Sequence, residues 1–138
     1  MVEYNQCQAT LKQLYELGIP GKVEEFTAYR ILMLLHGRNR SGMCSVVALD
    51  VISNELFCSE LNLYVGQLTA KEKNAPAVRH AMDVQRAMAM GNYHAFFKLY
   101  EDAPNMGVYI MDHFVARERA RALLVITKAC VPLTHHSF

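Results

Sequence analysis

Apolar positions recur at helical spacing along most of the chain, and the clearest run lies between Ala77 and Ala129. Val78, Ala81, Met82, Val84, Ala87 and Met88 make one stripe. Beyond Gly91-Asn92, the bulky side chains of Tyr93, Phe96, Phe97 and Tyr100 fall at i, i+3, i+4 and i+7, which is one face of a second helix. Gly91 suits the left-handed residue that ends a helix, and Asn92 suits the cap that begins one. The pair therefore predicts the turn of an antiparallel helical hairpin near the middle of the fold. Each helix keeps an apolar face that the other cannot cover, so further helices must flank them.

The flanking segments carry the same pattern. Glu3 to Leu17 places Tyr4, Cys7, Leu11, Leu14 and Tyr15 on one stripe and closes at Gly18. A second helix, from about Glu24 to Arg38, has Phe26, Tyr29, Ile31, Leu32, Met33 and Leu35 as its apolar face. From Glu60 the pattern resumes with Leu61, Tyr64, Val65 and Leu68. Thr69-Ala70-Lys71-Glu72 has the form of a capping box but is followed by charge, so it predicts a turn or one short helical turn. Pro76 suits the first turn of the next helix.

After Ala103-Pro104-Asn105, a short helix from Met106 to about Phe114 is expected, with Asn105 as its cap. A last helix, from about Ala116 to Cys130, directs Ala116, Ala120, Leu123, Leu124 and Thr127 inward and ends at Val131-Pro132. Only the stretch from 42 to 59 departs from this texture. Its run Cys44-Ser-Val-Val-Ala-Leu-Asp-Val-Ile is β-branched without a helical stripe. The reading is an all-α stack of six or seven helices. Its aromatic core comprises Phe26, Tyr29, Tyr93, Phe96, Phe97 and Tyr100.

Composition bounds the chemistry. The 138 residues are one domain's worth, and the net charge of +1 gives no global electrostatic reason to expect nucleic acid. Four cysteines without a C-x-x-C pair read as reduced thiols. No segment has the form of a signal peptide or a membrane span. H-E-x-x-H, G-x-S-x-G, phosphate-loop and dinucleotide-binding fingerprints are all missing. His36 is placed as a histidine near a helix C-terminus rather than as a ligand. Asp112-His113 are helical neighbours whose side chains diverge by about 100°. His135-His136 stand at a polar terminus. The expectation is therefore no catalysis, no metal and no cofactor.

Arg38 and Arg40 end the second helix, and Arg117, Arg119 and Arg121 cluster on the last one. A solvated face is the plain reading of these residues, and a partner or nucleic-acid edge is the sharper one.

Several blocks, taken in order, resemble the GANP-type helical domain of the suppressor-of-actin-three family, relatives of the PCI proteins. The first are Glu3-Tyr4-Asn5-Gln6-Cys7-Gln8, Leu14-Tyr15 and Glu25-Phe26-Thr27-Ala28-Tyr29-Arg30. Gly91-Asn92-Tyr93-His94, Phe97-Lys98-Leu99-Tyr100 and Ala103-Pro104-Asn105-Met106 follow, and Met111-Asp112 and Arg117-Glu118-Arg119 complete the set. The branch of the fungal Thp-three proteins and leukocyte receptor cluster member eight is the most similar.

The resemblance implies a right-handed α-solenoid of TPR-like antiparallel helix pairs, the helical part of a PCI-type module. It also implies a nuclear, non-catalytic scaffold that joins a second PCI protein and a small acidic Sem-type subunit. Such complexes act in transcription elongation, mRNA processing and mRNP export. Family members continue past the Val131-Pro132 position into a winged helix, whereas these 138 residues stop at Phe138. RNA or DNA binding is correspondingly weakened as an expectation, and an exposed apolar patch on the last helix is expected. The competing readings are a PCI-type subunit of the proteasome lid or of a translation-initiation assembly, and a stand-alone TPR-like peptide-binding adaptor.

Within that resemblance the stretch from 42 to 59 has no counterpart. Gly42-Met43-Cys44 is compatible with a GTATGT splice donor, Ser53-Asn54 with a CTAAC branch point and Ser59-Glu60 with a CAG acceptor. Removal joins Ser41 to a restored Glu codon ahead of Leu61-Asn62. The expectation is an intron translated in frame, and the other reading is a lineage-specific loop. Sequencing of mature transcripts should show the short form as dominant. Genomic codons without those splice signals would favour the loop.

Overall fold

A computed structural model describes residues 2–40 and 60–134. The candidate insertion at 42–59 lies outside the described residues, as do His135-His136. All regular structure among the described residues is helical: α1 (Val2–Glu16), α2 (Val23–Arg40), α3 (residues 60–67), α4 (Ala70–Asn74), α5 (Pro76–Ala89), α6 (Tyr93–Glu101) and α7 (Gly107–Thr134). The all-α architecture read from periodicity is the one observed.

The helix ends follow from local chemistry. Gly18 ends α1 at φ +81° and Gly91 ends α5 at φ +67°. Each makes the paired bonds of a Schellman turn: Ile19 N–H to the Leu14 carbonyl at 3.2 Å, and Asn92 N–H to the Ala87 carbonyl at 2.9 Å. The Asn92 side-chain oxygen then accepts the Ala95 N–H at 3.1 Å, a cap that contributes about 1 kcal/mol. The Thr69–Glu72 capping box forms with both reciprocal bonds and starts α4. Its hydrogen bonds to Thr69 hold the Glu72 carboxyl below the usual carboxylate range. Pro76 opens α5 where a missing N–H costs nothing.

The centre of the fold is α2, not the α5–α6 hairpin. It packs against α5, α7 and α1, while α6 bridges α5 to α7 and α4 leans on α5. Thr27, Ala28, Tyr29, Ile31, Leu32, Leu34 and Leu35 are all buried, so α2 is covered over most of its circumference for two turns, with Phe26, Arg30 and Met33 half-buried on the remaining face. A helix with so wide an apolar surface belongs in the interior, whereas one-sided helices lie against it. Ile31, Leu32 and Leu35 are buried essentially completely, and each such side chain contributes about 1.5–3 kcal/mol. Ala77, Val78, Ala81, Val84 and Ala87, all small, form the buried face of α5. Tyr29 also ties α2 to the far end of the chain. Its hydroxyl donates to the Glu25 carboxylate and accepts the Met106 N–H at 2.9 Å. Burial, and next the bond to Glu25, push its pKa up to about 12.

Of the six aromatics expected in the core, Tyr29 and Phe96 are buried. Phe26, Phe97 and Tyr100 are half-buried and pack against the core. Tyr93 is 39% exposed, because the first residue of α6 projects past the end of α5 into an open groove. Phe96 makes edge contact with Phe97, ring centres 5.3 Å apart, and meets Phe114 of α7 at 6.1 Å.

Three further expectations are corrected. On α1 the buried residue is Gln8, held by the Tyr4 hydroxyl at 3.0 Å, while Cys7 is exposed. The two helices expected after Pro104 are one 28-residue helix, since no Gly or Pro interrupts residues 108–131. Asn105 takes a left-handed turn at φ +54° ahead of it, and the helix carries through Pro132 to Thr134. The inward strip of α7 is Ile110, Met111, Phe114, Val115 and Ala122, whereas Ala116, Ala120, Leu123, Leu124 and Thr127 are exposed. The packing of Phe114 and Met111 sets the register, and residues two positions out of phase with them point away.

Replacing Phe96 with Ala should destabilise the fold by about 3–5 kcal/mol. For the half-buried Phe97 the loss should be roughly 1–2 kcal/mol, and for Tyr93 within about 0.5 kcal/mol. Urea titrations of the three variants measure this gradient.

Candidate functional site

The long helix α7 determines where the candidate arginines go. A helix advances 100° per residue, so positions 117 and 121 lie about 40° apart and position 119 lies roughly opposite them. The cluster that is compact in sequence is therefore dispersed in space. Arg117, expected to face outward, is half-buried between α7 and α2. Its guanidinium lies 3.4 Å from the His36 backbone carbonyl and 3.5 Å from the His36 ring Nδ1. The His36 ring also meets the His113 ring, centres 5.8 Å apart. His36 and Arg117 thus form one polar seam between two helices.

Arg119 is exposed on the other side of α7, the side of the Tyr100–Asp112 pair. The Tyr100 hydroxyl donates to the Asp112 carboxylate, and that bond raises its pKa. Arg121 is exposed and pairs with Glu118 at 3.2 Å. Arg38 and Arg40 close α2, and their side chains lie outside the described residues. Of the five arginines, two can present charge on the described surface of α7: Arg119 and Arg121.

The feature that sequence reasoning missed is a groove. The tip of the α5–α6 hairpin stands away from the distal half of α7 and leaves an open, largely apolar cleft of about 320 Å³. Met88, Tyr93 and Phe96 line one wall, and Ala122, Leu124 and Val125 line the other, with Glu118 and Arg121 at the edge. Beyond the Arg117–His36 seam, Ala122 alone is buried among the described side chains of α7. Leu123, Leu124, Val125 and Ile126 are 61%, 58%, 53% and 41% exposed. The apolar patch expected on the last helix is present. The signal for it was Leu-Leu-Val-Ile itself, four successive apolar residues that a one-sided helix cannot bury.

Among the described residues, no group of three His, Cys, Asp or Glu side chains stands close enough to hold a metal ion. No helix among them is long and apolar enough to cross a membrane. The displaced pKa values belong to tyrosines and to the capping carboxylate Glu72, and each has a structural cause.

A model of the SAC3/GANP family matches residues 2–137. A THP3 homolog of Schizosaccharomyces pombe is 45% identical over 130 residues, covering 94% of this chain and 28% of the relative. A leukocyte receptor cluster member 8 homolog of Xenopus laevis is 40% identical over 136 residues, 99% of this chain and 15% of the relative. SAC3 family protein A of Arabidopsis thaliana is 37% identical over 131 residues, 94% of this chain and 11% of the relative. The chain thus spans less than a third of the length of each. No solved structure matches.

The dispersal of the arginines separates their roles by stability. Arg117→Gln should cost about 1–3 kcal/mol, because it removes the charged donor to a half-buried carbonyl. Arg119→Gln and Arg121→Gln should each stay within about 0.5 kcal/mol. Thermal or urea unfolding of the three single variants measures the difference.

Proposed function

This chain belongs to the SAC3/GANP family, and from that premise we propose that it is a helical scaffold in a nuclear complex that couples transcription elongation to mRNA processing and mRNP export. The reading rests on one observation: the family match runs over nearly the whole chain and coincides with a stack of helices, the last of which carries four successive exposed apolar residues, Leu123 to Ile126. A surface of that kind has work to do in an assembly. In this reading the domain has no catalytic role, and its partners are a second PCI protein and a small acidic subunit, with RNA as a secondary ligand.

The same assignment accounts for the apolar lining of the groove. A stand-alone adaptor for polar peptides would present polar and basic side chains there. Membership in the proteasome lid or a translation-initiation assembly rests on fold kinship alone, which does not carry function.

Affinity purification of the tagged native protein from nuclear extract, followed by mass spectrometry, tests the reading. Recovery of a PCI protein, a small acidic subunit and mRNA-processing factors is expected. Recovery of lid or initiation subunits in their place would overturn it. For nucleic acid, Arg119→Gln with Arg121→Gln should flatten the logarithmic dependence of RNA affinity on salt by about one for each phosphate that the arginines no longer neutralise. An unchanged slope would remove these two residues from the RNA surface.

A further inference from the structure

The joint between α1 and its neighbours α2 and α3 differs in kind from the rest of the packing. The side chain that α1 buries is polar: Gln8, whose amide donates to the Tyr4 hydroxyl of the same helix at 3.0 Å. Tyr4, Leu11, Leu14 and Tyr15 are half-buried. Across the joint, the buried polar residue of α2 is Thr27, and it bonds to the Tyr64 side chain of α3. Each side therefore satisfies its own buried polar group. Among the described residues, the polar ties that cross from α1 to other helices come from Lys12, a 3.5 Å bond to Gln67 and a place 6.0 Å from the centre of the Tyr64 ring. Lys12 is exposed, and ties of that kind contribute little.

A packed joint resists opening through the apolar area it would expose and through the polar groups it would leave unpaired. Here the second resistance is missing. When α1 lifts away, Gln8 keeps Tyr4 and gains water, and Thr27 keeps Tyr64. The apolar resistance is modest beside that of Ile31, Leu32, Leu35, Met111 and Phe114, which are buried essentially completely in the body of the fold. The connection to α2 supplies a hinge: Gly18 stands at φ +81° after α1, and α2 begins at Val23. An aromatic contact sets its closed position. Tyr15 lies so near Gly21 that a Cβ on Gly21 would come within 2.6 Å of the Tyr15 ring.

We propose that α1 is a hinged strap, which detaches from α2 and α3 as a unit about residues 17–22 while the helices from α2 to α7 keep their packing. Opening uncovers the surface on which Tyr4 and Lys12 lie, beside Tyr29 of α2 and Tyr64 of α3. That face is displayed in a minor state of the native protein and is hidden in its ground state.

Hydrogen exchange of the native protein, followed amide by amide by NMR, tests the strap. Amides from Gln8 to Tyr15 should exchange at one common rate, at least about tenfold faster than the slowest amides of α2 around Ile31 to Leu35. Urea below the global transition should accelerate the α2 amides and leave those of α1 nearly unchanged, because opening the strap exposes little surface. Phe97→Ala lies in the body and is carried by the closed and open forms alike. It should accelerate the α2 amides by about five- to thirtyfold and the α1 amides by less than about twofold. Gly21→Ala pushes Tyr15 off the corner and acts on the closed form, so it should accelerate the α1 amides by at least about threefold.

Equal protection of α1 and α2 would overturn the proposal, as would equal acceleration of both helices by Phe97→Ala. Exchange that slows steadily from Gln8 to Tyr15 would mean fraying from one end and would overturn it too. So would α1 protection that Gly21→Ala leaves untouched. None of these outcomes depends on which complex the protein enters.

Discussion

The burial of α2 is the constraint on which the rest of this domain depends. Seven of its residues between Thr27 and Leu35 are buried, and the other helices are arranged to cover them. The small face of α5 closes one side and the Met111–Phe114 strip of α7 closes another. The α5–α6 hairpin, although it is the cleanest local pattern in the chain, is a peripheral layer that braces α5 against α7. Its tie is specific: the His80 Nε2–H donates to the Leu99 carbonyl at 2.8 Å and fixes the two helices in register.

Local features were legible in the sequence because they depend on a few neighbouring residues. Gly91-Asn92, Thr69–Glu72, Pro76 and Gly18 each act through backbone geometry within one turn, and each does what its residue type dictates. Which face of α7 turns inward was not legible, since Ala116, Ala120, Leu123 and Leu124 make as good a stripe as Met111, Phe114 and Val115. Two apolar stripes compete on that helix. Large side chains packed against α2 decide between them, and periodicity has no access to that neighbour. The same limit explains Gln8, a polar residue satisfied inside by the Tyr4 hydroxyl, and Tyr93, an aromatic residue left at the mouth of a groove.

The basic residues show how helical geometry separates neighbours in sequence. Arg117, Arg119 and Arg121 occupy an inter-helix seam, an exposed flank and a groove edge respectively. Their proximity in the chain suggested a patch, and their 200° steps around the helix dissolve it. Arg117 acts as a strut where α2 and α7 meet.

Helix α2 is made early in synthesis, but one of the surfaces that shelter it is made late. Roughly 80 residues separate Leu35 from Phe114, an interval of about 4–16 s at translation rates of 5–20 residues per second. Through that interval an apolar rod lies open on the side that α7 will occupy, and the Tyr29 hydroxyl has no Met106 N–H to accept. The same wide spacing between α2 and α7 that closes the finished domain leaves apolar surface uncovered in the nascent one.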